Sequence, residues 1–189
     1  TQLSVAIEAP LGSCARAVGG VLDTYQSRLV ARGPLATIVS GAALDTLAKL
    51  RAYDVVVLAP PGSGCAGNDL ALFDANISEY VAGGGGLLTT GWMMFDTHLN
   101  GAPEITVALP QVRSNGFGSG VTIAPTGTHP IVSGVTPFNT QYDNYGGGAK
   151  SGATTILLDG TNAAGSAWSV GAGRAVYLGP HFLEHWGAY

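Results

Sequence analysis

The run Asp54-Val55-Val56-Val57-Leu58-Ala59 decides how this chain folds. It is continuous in Val and Leu, with none of the polar alternation of a strand that has one wet face. It therefore reads as a strand buried on both sides, at the centre of a parallel sheet. Upstream, Leu3–Ala9 reads as a first strand, Ser13 as the N-cap of a helix reaching about Ala31, Ala36–Ser40 as a second strand, and Leu44–Ala52 as a helical run. Downstream, Asn68 or Asp69 caps a helix through Val81, Gly83–Gly86 stops it, and Leu87–Thr90 forms a fourth strand. This alternation predicts an open, doubly wound α/β fold, its sheet mostly parallel and of order 2-1-3-4, with helices on both faces.

The second half reads as short strands at Ile105–Leu109, Gly120–Ala124, Thr155–Leu158, Ala167–Val170 and Arg174–Leu178, the last two joined as a hairpin across Gly171-Ala172-Gly173. The segment 146–152 is poor in apolar residues and reads as a mobile loop. There is no internal repeat and no linker, so residues 1–189 are expected to form one domain.

Only 11% of the residues are charged, against roughly 25% in an average domain. The eight Lys and Arg are scattered singly among twelve acids, which excludes a phosphate-binding surface and with it a nucleic-acid partner. No apolar stretch approaches the roughly 20 residues of a membrane-spanning helix. Low charge, two lysines and a polar surface of Gly, Ser, Thr and Asn suggest a secreted, periplasmic or cell-surface protein with little repulsion against self-association, hence a homo-oligomer or larger assembly. Cys14 and Cys65 follow neighbouring strands in a 2-1-3-4 sheet, so a disulfide is expected between them; two unlinked thiols, or one reactive thiol, are the alternatives. A disulfide would support export.

Several segments resemble a known superfamily. Tyr53-Asp-Val-Val-Val-Leu, a helix, and then Tyr80-Val-Ala-Gly-Gly-Gly-Gly-Leu-Leu-Thr-Thr-Gly are similar to the class I glutamine amidotransferase-like proteins. Thr128-His129-Pro130-Ile131-Val132-Ser133-Gly134-Val135, then Phe138, Asp143 and Tyr145, and finally Gly173–His181, resemble its ThuA-like, trehalose-utilisation branch. The resemblance implies a flavodoxin-like fold and a nucleophile turn after the fourth strand. That turn here is Thr89-Thr90-Gly91-Trp92-Met93, without the family's cysteine, so a Cys-dependent glutaminase is not expected. The family's Pro and Glu after the closing histidine are replaced by Phe182 and Leu183, with Glu184 offset by one position, so the His–Glu relay is in doubt.

Ligands of open α/β sheets bind beyond the carboxyl ends of the strands. That edge would gather Glu8, Ser63, Gly64, Gly91, Trp92, His181 and Glu184. The expected function is a non-catalytic module for ligand binding or self-assembly. The alternative is an enzyme on a carbohydrate-like small molecule, with Glu8 and His181 as acid/base groups. His129, before Pro130 in a turn, reads as structural. Asp96 with His98, and His181 with Glu184 and His185, have spacings that could touch a metal but match no strong signature, so no metal is expected. Gly83–Gly86 precedes a strand and lacks a Lys-Ser/Thr, so it is no phosphate loop, and no cofactor is expected.

Overall fold

The computed structural model describes residues 2–11, 16, 20–58, 69–94 and 102–182. The first half contains β1 (Ser4–Glu8), α1 (Val21–Val30), β2 (Leu35–Val39), α2 (Leu47–Leu50), β3 (Val55–Leu58), α3 (Leu70–Ala82) and β4 (Gly86–Thr90). The second contains α4 (Pro103–Ala108), β5 (Gly118–Pro125), β6 (Phe138–Asp143), β7 (Thr154–Asp159), β8 (Asn162–Val170) and β9 (Gly173–Leu178). Among the described residues the nine strands form one sheet of order β2-β1-β3-β4-β9-β8-β7-β5-β6.

β3 shows why the parallel end forms. Val56 and Leu58 point into a core shared with Leu50 of α2, Phe73 and Ile77 of α3 and Ile105 of α4. Val55 and Val57 point the other way, toward Leu22, Tyr25 and Leu29 of α1. A strand covered on both faces has no polar position to offer, which is why its sequence does not alternate.

The flavodoxin-like, doubly wound, mostly parallel sheet with helices on both faces does not form; the sheet is mixed. Four strand pairs are parallel, β1 with β2 and β3, β3 with β4, and β4 with β9. The other four, from β9 through β8, β7 and β5 to β6, are antiparallel. The core over β5, β7 and β8 is closed not by an α-helix but by the single 3-10 turn Pro130–Val132. The reason lies in the connections. A parallel return needs a crossover of a dozen or more residues, whereas β7–β8 and β8–β9 are joined by Gly160-Thr161 and Gly171-Ala172. Gly171 has φ +59° and stands first in its two-residue turn, the glycine-first pattern that matches the twist of antiparallel strands.

Two further expectations change. Ile105–Leu109 is not a strand, since Pro103–Ala108 is helical, with Pro103 in the first turn and the Asp74 carboxylate accepting the Ile105 N–H at 2.8 Å. Segment 146–152 is also pinned: Gly147 N–H donates to Val112 O at 3.0 Å, and Ala149 bridges Gln111.

The antiparallel half curls back on itself. Asp143, at the end of edge strand β6, pairs with Pro180 just past β9. Asn144 N–H donates to Gly179 O at 3.0 Å and His181 N–H to Tyr142 O at 3.3 Å. This closure brings β5 and β6 to the carboxyl end of the parallel strands.

Candidate functional site

At that end, β4 runs into Gly91 and β9 into Gly179-Pro180-His181. Gly91 has φ +45°, a left-handed conformation that costs an L side chain roughly 1–2 kcal/mol. Its N–H donates to Leu178 O at 3.0 Å, and its carbonyl accepts the buried Tyr177 hydroxyl at 3.0 Å. The turn thus has a fixed backbone and no nucleophile.

Trp92, the next residue, is half-buried, with its ring 5.2 Å from that of His181. Tyr142 lies 5.6 Å from the imidazole and Phe117 6.4 Å, and Phe117 stacks on Tyr142 at 5.5 Å. His181 is 1% exposed, and neither ring nitrogen has a hydrogen-bond partner among the described residues. Burial pushes its pKa down to about 4, because the imidazolium would lose its hydration among these rings. The imidazole is therefore neutral at physiological pH, with one donor and one acceptor to offer. Phe117 is 43% exposed and carries this aromatic wall to the surface.

Glu8 is placed differently. It lies in register with Leu58, Thr89 and Tyr177 across β1, β3, β4 and β9. Three strand spacings of about 4.8 Å put it roughly 14 Å from Tyr177 along the sheet. Its carboxyl is buried, and its Oε1 has no hydrogen-bond partner among the described residues. Burial first and the negative charge of Asp69 second raise its pKa to about 8, with Arg16 opposing. Asp69 precedes α3, and its Oδ2 accepts the Gly41 N–H at 3.0 Å.

Of the residues singled out from sequence, the structure brings Trp92 and His181 together beside Gly91 and leaves Glu8 near Asp69 and Arg16. Ser63, Gly64, Glu184, Cys14 and Cys65, as well as Asp96, His98 and His185, lie outside the described residues. His129 caps its 3-10 turn, Nδ1 accepting the Ile131 N–H at 3.3 Å. Among the described residues no three His, Cys, Asp or Glu side chains cluster as metal ligands. Phe117 and Tyr142 escape a sequence reading because they reach His181 only through the curl of β5 and β6. The single signal was Tyr142 directly before Asp143 in the family-like stretch.

No family model and no curated protein matches this chain. Solved structures share its fold. A cytoplasmic protein of Salmonella typhimurium LT2 matches with a TM-score of 0.65 at 14% identity, over 94% of this chain and 87% of that one. A protein of Bacteroides uniformis described as ThuA-like matches with a TM-score of 0.62 at 14% identity, over 95% and 82%. The cold-adapted β-galactosidase of Rahnella sp. R3 matches with a TM-score of 0.65 at 18% identity, over 95% of this chain but only 29% of the enzyme. The chain thus shares its fold with a protein described as ThuA-like, and equally with the other two. The Salmonella protein corrects the expected secreted, periplasmic or cell-surface location, since this architecture occurs in a protein described as cytoplasmic. Low charge and abundant glycine also arise from buried strands and tight turns, and do not mark export.

Proposed function

We propose that this chain is a ThuA-like member of the class I glutamine amidotransferase-like superfamily that binds an uncharged, carbohydrate-like small molecule without turning it over. The observation that carries this reading is the neutral His181, its nitrogens unpartnered among the described residues, set against Trp92, Tyr142 and Phe117 next to a turn whose nucleophile position is glycine. Aromatic faces stack on the C–H face of a sugar ring, and a neutral imidazole hydrogen-bonds a hydroxyl without drawing a charge into the site. The ThuA-like and β-galactosidase neighbours support the same ligand class. Calorimetric titration with neutral mono- and disaccharides tests it: Trp92→Ala is expected to weaken binding about five- to tenfold, as stacking worth about 1–1.5 kcal/mol would require. Equal affinity in Trp92→Ala and wild type would remove the site from the proposal.

The alternative is catalysis through Glu8, favoured by a buried carboxyl whose pKa burial and then the charge of Asp69 raise to about 8, as a general acid requires. Self-association is favoured by β2, an edge strand without a charged residue whose Leu35 is exposed beside the exposed Leu3. Sedimentation should show dimers that Leu35→Lys dissociates; a wild-type monomer at high concentration would exclude this route.

A further inference from the structure

Two carboxylates in the curled half each rest against a glycine that has no need of glycine's backbone freedom. Neither Gly118 nor Gly179 has a positive φ. A Cβ on Gly179 would collide with Asp143 Oδ1 and come within 2.7 Å of Ala164 O and 2.8 Å of Asn144 O. A Cβ on Gly118 would collide with Asp159 Oδ2. Gly118 and Asp143 are direct cross-strand partners, so the Asp159 carboxylate lies against the residue paired with Asp143. We infer that Asp143 and Asp159, with the carbonyls of Ala164 and Asn144, form a binding site for a hard divalent cation such as Ca²⁺.

Asp143 is fully buried, and neither of its carboxylate oxygens has a hydrogen-bond partner among the described residues. An unpartnered buried carboxylate costs several kcal/mol unless it is protonated or meets a cation. Among the described residues no lysine or arginine donates a hydrogen bond to either Asp143 oxygen. The donors are all oxygen, the set that Ca²⁺ takes and soft metals do not. Asp159 is half-buried and gives an ion its way in, with water completing the coordination. Asp143 also pairs with Pro180, so the ion would tie the end of β6 to the strand that delivers His181.

Titration of the whole protein with Ca²⁺ by calorimetry, and with Tb³⁺ by luminescence sensitised through the aromatic side chains, tests the inference. Wild type is expected to bind one ion with a dissociation constant of about 0.1–1 mM, the range of weak calcium sites. Asp159→Asn and Asp143→Asn should each weaken binding about tenfold or more, with circular dichroism reporting that each is folded. Asp159 is the less buried, so Asp159→Asn decides the matter if Asp143→Asn does not fold. No binding by wild type at several times that concentration, or equal binding by folded Asp159→Asn, overturns the assignment. Neither result bears on the sugar site, whose test uses Trp92.

Discussion

Among the described residues, three buried side chains with large shifts bear on the response to pH near neutrality, and their signs differ. Glu8 and Asp143 keep their protons in the fold up to about pH 8, whereas unfolded they release them near 4.5 and 3.8. Between those limits the folded state binds more protons, so stability falls as pH rises. His181 acts oppositely: unfolded it is protonated below about 6.5, and folded only near 4, so its contribution is lost as pH falls through that window. From pH 6.5 to 8 the two carboxyls act without the histidine's opposition. Urea denaturation across that interval should show wild type losing stability, each carboxyl contributing up to about 1.4 kcal/mol per pH unit. Glu8→Gln should roughly halve the slope, and an unchanged slope would mean that Glu8 is ionised in the fold. Glu8 stood out in the sequence as a carboxylate inside an apolar strand, but the Gly118 and Gly179 contacts that isolate Asp143 exist only after the strands pair.

Among the elements, α4 shows where local reading fails. Ile105-Thr106-Val107-Ala108-Leu109 is β-branched and apolar, the composition of a strand. Its helix is imposed from outside. Asp74, 31 positions earlier in chain order, accepts the Ile105 N–H; Lys150, from beyond β6, donates to Thr106 O and, at 3.3 Å, to Val107 O; and Trp168 Nε1 donates to Ala108 O at 2.8 Å. The Lys150 ammonium also lies 5.0 Å from the centre of the Trp168 ring. A cation on the last carbonyls of a helix favours its dipole, so Lys150→Met should destabilise the protein by about 1 kcal/mol, read from the urea midpoint. No shift in the midpoint would show that α4 is held by its apolar face alone. The hairpin at Gly171-Ala172-Gly173 was legible because its turn signal is local. The β7–β8 turn at Gly160-Thr161 carries the same signal but was hidden in a segment read as ending at Leu158.

For the molecule as a whole, the line between what was legible and what was not runs through β4. Before it, each strand is an apolar run followed by a helix, and the order β2-β1-β3-β4 follows from that alternation. After it, tight turns replace crossovers and the sheet curls, bringing Asp143 to Pro180 and Tyr142 and Phe117 to His181. Strand ends are visible in a sequence, so Trp92 and His181 were found. Cross-strand partners of a curled sheet are not, so the rest of the aromatic wall was missed. Under the function proposed above, this wall binds a neutral sugar and leaves it intact. Proton NMR of the protein with neutral disaccharides, recorded as saturation-transfer spectra and followed over days, tests both halves in one sample. Saturation should pass to the sugar-ring protons in wild type and be lost in Trp92→Ala, with the sugar signals unchanged throughout. Conversion of the sugar by wild type but not by Glu8→Gln, or no transfer to any sugar, would contradict it.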